Sequence, residues 1–342
     1  MKQIILSAYL WNCIIEFIPA ICISKLSLMS SQFKLIINKT NCKRIILEKT
    51  RSIIIVKTAK KLEPDKFWRH AFDCHYTFDD INSALHFVKS DIVTQGMIYY
   101  KIYIKCGEYR INTSSRYNFH HSKKSITLVG ISRAHNHTII NGCSLTIVAS
   151  QYFTIKNVFF NNYKLSFDTS VDIYVRPLLN GNLNLIGCIF STIHHIHIIT
   201  NHTIQIINCT FGKRGIMIDY NLCDIYNGGN HAITNNTFNS VRNGCIMLRG
   251  NNNNGSMTIS DNYINGADAF INNYFTKCKV YITNNRIDDV RYCILNASRS
   301  NTLFENNQFV RVKSITLTRI HGILSMAEGN SFTDCGQEFG SF

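Results

Sequence analysis

"FENNQFVRV" at residues 304–312 returns along the chain in close variants: "ITNNTFNSV" (233–241), "ISDNYINGA" (259–267) and "ITNNRIDDV" (282–290). Reduced to apolar-x-(Asn/Gly/Asp)-(Asn/Cys)-x-(Phe/Ile), the phrase also fits "LIGCIF" (185–190) and "IINCTF" (206–211). "TIKNVF" (154–159) and "AEGNSF" (327–332) fit it more loosely. The last residues fall at 159, 190, 211, 238, 264, 287, 309 and 332, in steps of 31, 21, 27, 26, 23, 22 and 23. A drifting period in the low twenties marks a solenoid, whose units bury their apolar faces only by stacking on one another. Leucine-rich repeats share the period, but their fixed Leu spacing and helical return segments are missing.

Each unit reads instead as two or three short strands. The motif strand comes first, and a second apolar run follows a turn: "GIMI" (215–218), "GCIML" (244–248), "AFI" (269–271), "YCIL" (292–295) and "SITL" (314–317). Alternation of period two, punctuated by Asn, Gly and Asp, favours strands over helices. The expected fold is all-β, a right-handed parallel β-helix in which each repeat is one coil. Coils stack at about 4.8 Å, so one residue type at one coil position forms a continuous column. An Asn at a tight corner tolerates left-handed backbone, and its amide can bond the amide one coil above. Asn157, Asn236, Asn262, Asn285, Asn307 and Asn330 are expected to form such a ladder, with Cys188 and Cys209 substituting in two coils. Phe159, Phe190, Phe211, Phe238, Ile264, Ile287, Phe309 and Phe332 are expected to stack inside it.

An open solenoid exposes sheet edges that need covering. "TFDDINSALHFVKS" (77–90) predicts a short N-terminal capping helix, with Asp79 and Asp80 at its start and Ile81, Leu85 and Val88 on one face. The order short helix, "IYIKCGEYRI", "SITLVGI", "TIING" resembles the opening coils of the pectin lyase-like superfamily, over roughly residues 70–335. That resemblance implies the architecture rather than an activity.

A hydrophobic fraction of 45% over 342 residues suffices for a large core and argues against a disordered chain. The charge of +15 is uneven: residues 1–61 hold eleven Lys/Arg against Glu16 and Glu48, a net +9, leaving +6 on the rest. Residues 1–61 therefore read as a basic leader or arm suited to an anionic surface, with a signal-like stretch at 1–24; nucleic acid is not the expected partner. Residues 62–98 read as the capping region and 99–342 as the β-helix. Thirteen cysteines, an odd number without a CxxC pair, point to buried thiols more than to a disulfide framework. Sequons at Asn38, Asn112, Asn136, Asn201, Asn208, Asn235, Asn254 and Asn296 carry little weight for secretion in so Asn-rich a chain.

Cleaving or de-esterifying a uronan needs general acid and base groups and a cation for the sugar carboxylate. The stretches "DIYVRPLLNG" (172–181) and "STIHHIHIIT" (191–200) lack the contexts that pectin methylesterases use, and no Asn-Thr-Asp precedes "RIDDVRY" (286–292) and "RIHG" (319–322) as in polygalacturonases. Asp219, Asp288, Asp289 and His321 are the catalytic candidates. His195 and His197 share one strand face and, with Arg249, are the binding candidates. Two imidazoles at i, i+2 need further ligands to hold a metal, so no metal and no cofactor is expected. Asp219 and Arg249 end the second strands of consecutive coils and should be vertical neighbours.

"KKLEPDKFW" (60–68), "GILSMAEGNS" (322–331) and "CGQEFGSF" (335–342) resemble pieces of the adenovirus large early transforming protein family, which includes a β-helical capsid relative in atadenoviruses. The resemblance implies action by protein contact, as a surface trimer or an adaptor. The expectation is a non-enzymatic scaffold contacting protein or glycan at a virion or cell exterior, a homotrimer. The alternative is a pectin lyase-like carbohydrate-active enzyme with a non-standard site.

Overall fold

The computed structural model describes residues 50–55, 76–91, 98–111, 116–118, 124–131, 138–142, 145–149, 152–161, 170–175, 182–190, 195–200, 203–219, 230–251, 255–276, 279–297, 301–314, 324–326 and 328–336. Every pairing between described strands is parallel, and the protein is an all-β parallel β-solenoid. A 12-stranded sheet runs Tyr76–Phe78, Thr50–Ile55, Ile98–Lys105, Lys124–Ile131, Tyr152–Lys156, Asn182–Ile186, Thr203–Ile207, Asn230–Thr234, Ser256–Ser260, Lys279–Thr283, Asn301–Glu305, Leu324–Met326. A second, 14-stranded sheet branches. Its cause is local: Thr210–Asp219, Thr237–Asn251, Tyr263–Thr276 and Arg286–Ala297 bend part-way, so their first halves continue one face and their second halves another.

Strict register turns the sequence repeat into columns. In the first sheet Ile155, Leu185, Ile206, Ile233, Ile259 and Ile282 follow one another inward, all buried. In the second, Phe160, Phe190, Phe211 and Phe238 stack with centroids 5.0, 5.2 and 4.8 Å apart and nearly parallel rings. Ile264 and Ile287 continue the column, Phe309 follows, and Phe332 stacks on it at 4.9 Å while remaining 37% exposed at the last described rung.

The first coil to carry the motif departs from the expected alignment. Phe160, not Phe159, pairs with Phe190 and points inward, so the motif there is displaced by one residue. Asn157 consequently belongs to the corner and buried Val158 takes the ladder position. The same displacement separates two jobs that the sequence pattern had merged. The left-handed residues are Asn157, Asn208, Asn235, Asp261, Asn284 and Asn306, with φ between 53° and 57°, joined by Gly187 and Gly329. The ladder residue is the one after each of them.

Asn236, Asn262, Asn285 and Asn307 are buried, and each donates Nδ2–H to Oδ1 of the next at 2.9–3.1 Å, ending on Asn330. Each Oδ1 also accepts the backbone N–H one coil below, from Cys209 onward. The remaining Nδ2 hydrogen goes to a carbonyl of the first sheet in the preceding coil, such as Ile206, Ile233 or Ile259. A buried carboxamide that meets all its partners costs nothing in unmade bonds and fixes the coil spacing. Cys188 and Cys209 do occupy this column as free, buried thiols, and Cys188 N–H donates to Cys209 Sγ at 3.4 Å.

The helix spans Ile81–Ser90 and buries Ile81, Ala84, Leu85 and Val88 against the core. Asp80 caps its start, accepting Ser83 N–H at 2.8 Å and Ser83 Oγ–H at 2.6 Å. Its last turn is held by Lys124, buried in the neighbouring sheet, whose Nζ donates to the carbonyls of Val88 and Lys89. One boundary is corrected. Thr50–Ile55, assigned by charge to the arm, pairs with Ile98–Lys105 and buries Ile53 and Ile55 completely, so the solenoid begins before residue 61. Residues 1–49 lie outside the described residues. No described helix is long and apolar enough to cross a membrane.

Candidate functional site

The most developed polar cluster among the described residues forms where the second sheet turns its second corner. Ser240, Gly266, Asp289, Arg311 and Asp334 all have positive φ, between 49° and 67°. Asn239, Asn265 and Asp288 are register partners immediately before this corner, followed by Val310. Alternation aims these positions outward, since Ile264 and Ile287 beside them point in. Asn239 and Asn265 are exposed accordingly, but Asp288 is only 4% exposed.

Two arginines cover it. Arg286, two residues earlier on the same strand, donates Nη2–H to Oδ2 at 3.4 Å, and Arg311, from the next coil, donates to Oδ1. Both guanidinium side chains keep more than half of their surface open, 54% and 57%. Arg286 also lies over the ring of Tyr263, 5.9 Å from its centroid, and Arg291 lies 5.1 Å from that of Tyr292. With both carboxylate oxygens engaged by cations, Asp288 is a clasp between two coils, and a proton-transfer role would first require one arginine to leave. Asp289 is exposed at the left-handed corner, its side chain on the solvent side.

The other candidates do not join this cluster as described. Asp219 and Arg249 are register partners at the far ends of their strands, so their expected vertical adjacency holds at the backbone, while their side chains lie outside the description. His195 and His197 stand on the strand His195–Thr200; His197 pairs in register with Asp172 on one side and Met217 on the other. Their side chains, and the whole of His321, lie outside the described residues. Among the described residues no three His, Cys, Asp or Glu groups converge as metal ligands. The sequence reading missed Arg286 and Arg311. Arg311 follows Asp288 by 23 residues, one more than the 22-residue coil at this point, so the repeat spacing alone does not pair them.

Three of the described thiols are held back from reaction by their surroundings. Burial pushes the Cys245 and Cys293 thiols well up, and the neighbouring Cys188 thiol together with burial does the same to Cys209.

No protein-family model and no curated protein matches this chain. Among solved structures it is similar to the A-module of the mannuronan C-5 epimerase AlgE6 of Azotobacter vinelandii, at 10% identity. The match covers 76% of this chain and 93% of that one with a TM-score of 0.22, a likeness too distant to place any residue or activity.

Proposed function

We propose that this protein is a non-enzymatic binding scaffold that makes protein or glycan contacts at a virion or cell exterior, and that it assembles as a homotrimer through the outer face of its 12-stranded sheet. The observation that carries this reading is the regularity of that face. Lys156, Ile186, Ile207, Thr234, Ser260 and Thr283 follow one another in register on its outer side. Beside them run Thr154, Asn184, Gln205, Ala232, Thr258 and Tyr281. Apart from the exposed ring of Tyr281, the side chains are polar or aliphatic, and most are half-buried.

Twelve strands of about five residues at 3.3 Å per residue and 4.8 Å per strand give a face of roughly 900 Å². A standard interface needs about 800 Å² per partner, so the face is large enough to hold one. A heterologous contact through it closes into a ring when its rotation allows, which is the basis for the trimer. The basic segment ahead of the solenoid is proposed to meet an anionic surface. The exterior placement draws on the signal-like opening and on the stretches resembling adenoviral proteins.

The competing reading, a carbohydrate-active enzyme with a non-standard site, would run through Asp288 or Asp219. Light scattering on the purified full chain should give three times the monomer mass, and incubation with pectin, polygalacturonate or alginate, with and without calcium, should give no product. Turnover that disappears in Asp288→Asn or Asp219→Asn would overturn the scaffold. A monomer would remove the trimer and leave a binding face alone.

A further inference from the structure

The solenoid brings two of the sequons together. Asn208-Cys209-Thr210 and Asn235-Asn236-Thr237 are 27 residues apart in sequence, but Asn208 and Asn235 stand at the same left-handed corner on successive coils. Both are exposed, and Asn235 Nδ2–H donates to Asn208 Oδ1. These are the two sequon asparagines whose side chains the structure describes.

We propose that this corner is an N-glycosylation site that carries one oligosaccharide per folded molecule, on Asn235 or on Asn208 and never on both. Three observations carry the exclusion. The side chains point outward side by side at a coil rise of about 4.8 Å, too little for two branched oligosaccharides to leave adjacent rungs together. Their backbones are held at this spacing, because Asn208 N–H is tied to Thr234 O and Asn235 N–H to Ser260 O. The residue following each is locked inside, Cys209 by its bond to Asn236 Oδ1 and Asn236 by its bond to Asn262 Oδ1.

A single glycan is compatible with the corner. In the transfer, Nδ2 of one asparagine bonds C1 of the first sugar of a lipid-linked pyrophosphoryl oligosaccharide. The C1–O bond breaks, the lipid pyrophosphate leaves with the electron pair, and one amide proton is lost. The product amide keeps its oxygen and one N–H, so either residue can still serve its partner in the corner.

The proposal rests on the exterior placement, so the full chain is expressed in eukaryotic cells both as it stands and behind an added cleavable secretory leader. Failure of natural export then appears only in the first preparation. In the second, intact mass of the folded, secreted protein is compared for the wild type, Asn208→Gln, Asn235→Gln and the double variant. Thr210→Ala and Thr237→Ala repeat the series with the amide pair intact, in case the Gln variants fail to fold. The expected result is equal glycan number in the wild type and both single variants, and one glycan fewer in the double. Loss of one glycan in each single variant and two in the double would show both residues occupied and overturn the exclusion. No change in the double variant would overturn the site.

Discussion

A single side chain in this solenoid acts on three coils at once, and substitutions are felt accordingly. Phe238 is fully buried, with the ring of Phe211 4.8 Å below it and Ile264 above. Phe238→Ala should lower stability by about 3–5 kcal/mol, since the coils are held at fixed spacing and cannot close over the cavity. Chemical denaturation checks this. The ladder allows a sharper test, because the chain contains its own natural substitution. Cys209→Asn would supply an Nδ2 to meet Asn236 Oδ1 and an Oδ1 to accept Cys188 N–H. It should be neutral or stabilising by about 0.5–1.5 kcal/mol, a typical net hydrogen bond. Asn262→Cys should cost about 1–3 kcal/mol for each group left unpaired, among them Ile233 O and the Asn236 Nδ2–H that donates to Asn262 Oδ1. Equal effects of the two variants would mean that thiol and carboxamide are interchangeable in the column. The repeat was legible in sequence because every coil must present the same partners. The division of labour between the two adjacent asparagines was not, because both positions accept Asn and only backbone dihedrals separate them. The same ambiguity moved the first coil to carry the motif by one residue, since "KNVFF" (156–160) offers Phe159 and Phe160 equally to a pattern search.

At the level of elements, the helix is fastened at both ends by charge. Burial tends to raise the pKa of Asp80, but bonds from the Ser83 hydroxyl and N–H, the Asn82 N–H and the nearby His86 outweigh it and hold the carboxyl below its ordinary value. A carboxyl so lowered contributes stability that is present above its unfolded value near 4 and is lost as pH falls through the folded value. Asp80→Ala should therefore cost about 0.5–2 kcal/mol at neutral pH, the usual worth of an N-cap. The gap between variant and wild type should close below about pH 4, the unfolded value. Melting curves from pH 7 to 3 measure it, and a gap independent of pH would show that the carboxylate is not the cap. The helix was readable from Asp79-Asp80 and the spacing of its apolar residues. The strand Thr50–Ile55 was hidden because Lys49, Arg51 and Lys57 drew the segment into the charge count, although Ile53 and Ile55 alternate as a strand requires. The Asp288 clasp was invisible for a different reason. One of its arginines comes from another coil, and register, not proximity in sequence, decides which residues meet.

Across the whole molecule, stability is a sum of coils and of the contacts between neighbouring coils, so the unit of change is one coil. Each ladder asparagine accepts from the coil below and donates to the coil above in the same way, with spacings of 26, 23, 22 and 23 residues from Asn236 to Asn330. Such a chain tolerates editing by whole turns. Removing residues 262–284 joins Asp261, already left-handed, to Asn285, which then offers Oδ1 to Asn236 as Asn262 did. The shortened protein should fold cooperatively with unchanged strand content per residue by circular dichroism. Removing half as many residues from the same place should abolish folding, because every later rung would be out of phase. If the half-turn deletion folds as well as the full one, the ladder does not set the register. For the lineage of this gene the feature means that length itself is cheap to vary, one coil at a time, through duplication or loss in frame with the corner.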